Sequence, residues 1–340
     1  MSVAAVTSAC SVSYAFHGVD LVITADTPQL LDAIGRRFAP FPAGTGAGPR
    51  LTFGFHTIST RAERPWADPP ASARSVYDTD SGEVRYADDE DALYMDSGQR
   101  IWARCLPSLG LTEVVGLPSA MTDLWLTSRP FMTLPLIESL KRRGLYSLHA
   151  SGAELDGKAV LIAGHSGAGK STLAAALVRA GFAFIGDDMA FLVEREGDLG
   201  IRAFPDESDL TDESARLIPE LAYLADGEMP LGWPKRRVRL EQAFGAEIAW
   251  RSAPAAILFP RVASSRAITN SERVREDEAL LELAPNVLLT DVAASQRHLN
   301  VLAALVETIP CYRLTLGRDL DAAVTEVRML LRTAGQQCRG

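Results

Sequence analysis

The sequence predicts an α/β protein, a mixed sheet with flanking helices, preceded by a sheet-rich α+β module. Three observations predict it. Residues 159–188 read AVLIAGHSGAGKSTLAAALVRAGFAFIGDD, an apolar strand, a glycine-rich loop, an amphipathic helix and a second strand in succession. Asp156-Gly157 stands between two apolar runs, a strong hairpin signal. From Ser11 to Leu117 short alternating runs are punctuated by turn residues, the pattern of a sheet.

The elements follow in order. Ser11–Phe16 and Val19–Thr24 read as strands around a His17-Gly18 turn. Gln29–Phe38 reads as a helix, capped by Asp26 or Thr27 with Pro28 in its first turn. Leu51–His56 is a strand, and short strands are expected at Val76-Tyr77, Val84–Tyr86, Ala92–Met95, Arg100–Ala103 and Val114–Leu117. The lone His17 and His56 read as ordinary turn or sheet residues, and Trp66, Trp102 and Trp125 as packing residues. Thr127–Arg143 reads as one helix against the following domain, ended by Gly144. Tyr146–Ala150 and Gly152–Leu155 are strands, the second paired through Asp156-Gly157 with the strand before the glycine-rich loop.

Downstream, Met189–Glu194 and Ile201–Phe204 form a hairpin across Gly197-Asp198. Pro205–Glu213 reads as turns and Ser214–Ala225 as a helix. Trp233–Arg239 is a basic run in an acidic protein, suited to phosphates, to an acidic acceptor or to guarding a sheet edge. Ala255–Phe259 is a strand, Ser264–Glu278 a polar loop, Val287–Leu305 a helix with Arg297 and His298 on the surface. Cys311–Leu316 is a strand and Asp319–Leu331 the last helix, before a flexible tail at 336–340. The domains are therefore placed at 1–126, for an acceptor or partner, and 127–335, for catalysis.

Gly164-His165-Ser166-Gly167-Ala168-Gly169-Lys170-Ser171 matches G-x-x-x-x-G-K-[ST] in full, and Thr172 follows it. Glycines let the backbone wrap an anion closely, and consecutive N–H groups at a helix start add positive potential. Lys170 suits the β- and γ-phosphates, and the Ser171 hydroxyl suits Mg²⁺. Asp187-Asp188 ends a strand, where a metal–phosphate site needs a carboxylate and a transferase needs a base. Arg261 ends the 255–259 strand and is a candidate phosphate contact.

The run Leu148-His149-Ala150-Ser151-Gly152, the Asp156-Gly157 turn, the glycine-rich loop and Phe184-Ile185-Gly186-Asp187-Asp188 resemble the HPr serine kinase/phosphorylase family, related to phosphoenolpyruvate carboxykinases. The resemblance covers about residues 145–205, with an echo at Ala256–Pro260. It implies that family's P-loop kinase core, with ATP and Mg²⁺ as cofactors. It puts His149 at the active-site histidine and Asp187 and Asp188 at the acidic pair for metal and proton. His165 stands where the bifunctional family has an acidic residue, Thr172 where it has Glu, and the later glycine-rich segment has no counterpart. The likeness is thus to divergent members, some of which accompany peptide natural-product clusters, and it implies phosphoryl transfer without HPr as acceptor.

Over 340 residues, 47% are apolar and 23% charged, the balance of a globular protein. The formal net charge of −9 argues against nonspecific nucleic-acid binding. The four cysteines show no CxxC spacing, no membrane span or signal peptide is read, and a cytoplasmic location is expected. The functional expectation is a kinase acting on Ser or Thr of a peptide or small protein, or on a hydroxy-metabolite. The alternative is a nucleotide-binding regulatory module. A homo-oligomer is left open.

Overall fold

The computed structural model describes residues 10–67, 73–79, 82–89, 91–195, 197–227, 235–263, 268–290 and 292–337. It is a mixed α/β structure that divides into two units, Met1–Arg143 and Gly144–Gly340.

The first unit holds, among the described residues, an eight-stranded sheet. Its strands are β1 (Cys10–Phe16), β2 (Val19–Ala25), β3 (Arg50–Thr57), β4 (Arg74–Thr79), β5 (Gly82–Asp89), β6 (Ala92–Ser97), β7 (Ile101–Leu106) and β8 (Leu111–Gly116), in the order β1-β2-β3-β8-β7-β6-β5-β4. Helix α1 (Pro28–Phe38) starts where Thr27 accepts the Leu30 N–H, with Pro28 in the first turn. After the short α2 (Pro118–Met121), the expected helix 127–143 is instead divided between the end of α3 (Leu124–Ser128) and α4 (Pro130–Lys141). Pro130 forces the break, since proline starts helices well and continues them badly.

The sequence reading sent α4 to the second domain. It packs within the first unit, on α3 and β7, with Cys105 Sγ 3.7 Å from the Pro135 carbonyl. Nearly every residue of α4 is buried, including the ion pair Lys141–Glu138 at 2.6 Å. A helix buried on nearly every side does not say which core it joins.

In the second unit a nine-stranded sheet is described. Its members are β9 (Tyr146–Leu148), β10 (Ala150–Leu155), β11 (Lys158–Ala163), β12 (Ala183–Gly186), β13 (Ala190–Arg195), β14 (Asp198–Ala203), and, after a separate two-stranded pair β15 (Ser208–Leu210) and β16 (Arg236–Val238), β17 (Arg251–Val262), β18 (Asn270–Val274) and β19 (Cys311–Leu316). The β10–β11 hairpin turns at Asp156 (φ +53°) and Gly157 (φ +77°), as the Asp-Gly pair demands. β11 and β19 both run parallel to β17. One sheet face is covered by α5 (Lys170–Arg179) and, from the chain's end, α11 (Leu320–Gln337).

Before α11 come α6 (Asp212–Leu217), α7 (Tyr223–Asp226), α8 (Leu240–Ala243), α9 (Glu276–Leu283) and α10 (Val292–Thr308). The last two cover the other sheet face. Pro219 splits the single helix expected over 214–225.

Two further expectations fail here. Residues 270–274 are not loop: β18 pairs antiparallel with β19, and α9 follows at once. Its pattern is polar because it is an edge strand, and charge on an edge blunts stray pairing. Residues 264–267 of that stretch lie outside the described residues. His298 is fully buried, not superficial, on a helix face with Ala294, Val301, Leu302 and Leu305. Most of the 336–340 tail is likewise outside the described residues.

Candidate functional site

The loop between β11 and α5 has the backbone that its glycines permit. Gly164, Gly167 and Gly169 take φ of +142°, +81° and +97°, which side-chain-bearing residues rarely adopt. A Cβ on Gly169 would also lie 3.0 Å from Leu316 Cδ1 and 3.1 Å from Val262 Cγ2. Gly169 therefore caps α5 while the sheet end closes against it. The Lys170 side chain folds back over the loop, and Nζ donates to the carbonyls of Gly164 (2.8 Å) and His165 (3.2 Å). Burial lowers the Lys170 pKa, Asp188 and Asp187 oppose that, and Lys235 adds to it. At the other end Thr172 Oγ1 meets Ser214 Oγ at 2.7 Å. His165 turns its Nδ1–H onto the Ser166 carbonyl at 2.8 Å.

Asp187 leaves the end of β12 and is 1% exposed. Burial and then Asp188 push its carboxyl up to about 7, while Ser151 and Ser171 hold it back. Ser151 Oγ lies 2.7 Å from Asp187 Oδ1 and 2.6 Å from the Asp187 carbonyl. Oδ2 is buried and makes no hydrogen bond. Gly186 is obligatory in front of it: a Cβ there would stand 2.5 Å from the Met189 carbonyl and 2.6 Å from that of Phe204.

His149 occupies the break between β9 and β10. β9 pairs with β13, whereas β10 pairs with β11 and β12, so the chain changes partners at this residue. Its N–H donates to the Asn286 carbonyl at 2.8 Å. Its Nδ1 lies 2.8 Å from the Asp188 carbonyl. A carbonyl only accepts, so Nδ1 carries the proton and Nε2 is the acceptor nitrogen of the neutral ring. The ring reaches solvent through the cleft, yet the protein crowded around it lowers its pKa. Asp188 opposes that lowering, and Lys170 and Lys235 add to it.

A cleft of about 540 Å³ opens beside these groups, lined by His149, Gly164, His165, Ser166, Phe259, Pro260, Arg261, Glu282, Pro285 and Asn286. The second unit thus brings together His149, the 164–172 loop, Asp187 and Asp188, with Arg261 lining the same cleft as His149. Sequence reasoning missed Ser151, although it lies in the run quoted for His149. The hairpin register sets it opposite Ile162, and its neighbour Gly152 faces Gly186.

Of the readings open for the basic run, the sheet edge is the one that fits residues 236–239, since β16 is a strand paired only with β15 among the described residues. Arg236 pairs with Asp212 at 2.8 Å, Arg237 with Glu207, and Arg239 with Glu241 at 3.3 Å. Those arginines stabilise the β15–β16 region. Lys235 is the member whose charge acts on Lys170 and His149. Trp233 and Pro234 lie outside the described residues.

A divalent cation fits the Asp187 side of the site on structural grounds. A buried carboxylate oxygen lacks a partner there, and the adjacent Asp188 makes the Asp187 charge costlier still. No cluster of three or more His, Cys, Asp or Glu is present among the described residues, so phosphate oxygens and water would have to complete the shell. Among the described residues no helix is long and apolar enough to cross a membrane.

No family model matches the chain, and no curated protein matches it. Among the solved structures that match is the HPr(Ser) kinase/phosphatase from Coxiella burnetii, at 14% identity and a TM-score of 0.31, over 57% of this chain and 99% of that one. At this level of similarity the function has to come from the residues themselves.

Proposed function

We propose that the chain is an ATP- and Mg²⁺-dependent kinase that transfers the γ-phosphoryl group to a hydroxyl. One observation carries the reading. The Lys170 ammonium rests on Gly164 and His165, two of the residues that line the cleft, and His149 lines the same cleft. A lysine folded over a phosphate loop beside a cavity with a base in it suits phosphoryl transfer, which asks mainly for charge stabilisation and an oriented nucleophile.

The loop N–H groups and Lys170 would hold the triphosphate. Ser171, Asp187 and Asp188 would hold Mg²⁺, which when bound offsets the phosphate charge. His149 Nε2 would receive the acceptor's hydroxyl proton, since the ring is neutral at physiological pH and its tautomer is set by the Asp188 carbonyl. The Asp188 charge then stabilises the imidazolium. Lys235 adds a second cation for the transferring group. The acceptor is proposed to be a Ser or Thr hydroxyl of a peptide or small protein, or a hydroxy-metabolite.

The test is incubation with γ-labelled ATP, Mg²⁺ and a panel of hydroxyl compounds and peptides, read by mass spectrometry. One phosphate gained by an acceptor, and lost with Lys170→Ala, is expected. Nucleotide binding with no transfer to any acceptor would instead favour a nucleotide-binding regulatory module.

A further inference from the structure

Resting on the kinase reading, we propose that the cleft beside the loop is the acceptor site and that Arg261 selects an acceptor carrying a carboxylate beside its hydroxyl. The position of the cleft excludes the nucleoside. Its loop residues are Gly164, His165 and Ser166, the end on which the Lys170 amine rests, whereas Thr172, at the opposite end, is engaged with Ser214. The γ-phosphate end of the loop opens into the cleft, and only the phosphoryl acceptor belongs there.

Phe259, Pro260 and Pro285 give the cleft an apolar lining, and Arg261 and Glu282 are the charged side chains on it. Arg261 lies 3.6 Å from Glu282, beyond hydrogen-bond length, and its side chain is 62% exposed. Glu282 is already held by Arg313, with Nε at 2.9 Å and the nearest terminal nitrogen at 2.7 Å. The Arg261 guanidinium therefore keeps its forked donor edge for a ligand, and that fork matches a carboxylate in bidentate fashion.

The sheet directs Arg261 away from the nucleotide phosphates. Val262 reaches Gly169, on the α5 side of β17, and alternate residues face opposite ways, so Arg261 projects with Phe259 toward α9 and α10. A cavity of about 540 Å³ accommodates a free hydroxy acid or a short acidic stretch of peptide around a serine.

The experiment uses matched pairs of probes: glycerate against glycerol, and acetyl-Ser-Glu-amide against acetyl-Ser-Gln-amide. Binding to the full chain with Mg²⁺ and a non-hydrolysable ATP analogue is read by ligand-detected NMR. Phosphoryl transfer with ATP is read on parallel samples. At least one acidic member should bind at least tenfold more tightly than its neutral twin. Arg261→Gln should abolish that preference, Arg261→Lys should restore part of it, and affinity for the ATP analogue should change by less than twofold in both.

The glycerate and peptide arms report which source of carboxylate the cleft takes. Equal binding of acidic and neutral members, no binding of either acidic member, or a large loss of nucleotide affinity in Arg261→Gln each overturns the proposal. Arg261-dependent binding without transfer upholds the carboxylate site at Arg261 and counts against the kinase reading, and with it against the site's role for an acceptor. Transfer without carboxylate preference does the reverse.

Discussion

At the scale of single residues, the site is a set of groups kept in costly states. Asp187 is buried beside a second carboxylate, and its pKa is raised accordingly. The linkage has a definite sign. Between the unfolded value near 3.8 and the folded value near 7, the folded metal-free protein binds more protons than the unfolded chain, so its stability falls as pH rises through that window. Thermal melts of metal-free protein from pH 4.5 to 7.5 should show a downward contribution approaching one proton. Asp187→Asn should remove it, and a slope unchanged in the variant would contradict it. His149 is also held in a chosen form, since its Nδ1–H is committed to the Asp188 carbonyl. His149→Gln should lower kcat about 10²- to 10⁴-fold, the usual worth of a general base, while nucleotide affinity stays within about threefold. If His149→Gln keeps near-normal kcat and Asp188→Asn loses it, Asp188 alone is the base. These roles were only partly legible in the chain. A glycine-lysine-serine loop announces itself because its chemistry is local. Ser151 and Lys235 matter only through neighbours far away in sequence, and nothing near them marks that.

At the scale of elements, what decides the site is how strand ends are packed. Gly186 shows this well, for it permits β12 to end between two carbonyls and deliver Asp187 inward. Gly186→Ala would press a methyl against backbone that cannot yield as a side chain tip can. It should cost about 1–3 kcal/mol, the range of overpacked interiors, measured by denaturant unfolding. A wild-type midpoint would mean that the two carbonyls move freely. The same scale explains where sequence reading succeeded. The β10–β11 hairpin and α5 are written in short signals, Asp156-Gly157 and the glycine spacing, which act within a few residues. α4 and β18 were misread because one is buried on nearly every side and the other is mostly polar, and neither carries a period that points to a partner. His298 was misread for a different reason: the stripe Ala294, Val301, Leu302, Leu305 does include its position, but an adjacent arginine made the pair look superficial.

At the scale of the whole molecule, two units carry separate cores. The first buries Phe16, Ile34, Phe38, Phe53 and Phe55, and the second buries two aliphatic layers on either side of its sheet. Every residue proposed to hold nucleotide belongs to the second unit, Gly144–Gly340. A ligand stabilises only what holds it, by RT ln(1 + [L]/Kd), which at a hundredfold excess over Kd is about 2.7 kcal/mol. For a unit of this size each kcal/mol is worth about 2–4 °C. Calorimetry with Mg²⁺ and a non-hydrolysable ATP analogue should therefore raise one unfolding transition by roughly 5–10 °C and leave another in place. Lys170→Ala should cancel that rise. Ile34→Ala, which opens a cavity in the first core, should lower the unshifted transition instead. If nucleotide moves the Ile34-sensitive transition as far as the other, the first unit contributes to nucleotide binding, and the site extends beyond the residues that the loop, the carboxylates and the cleft assemble.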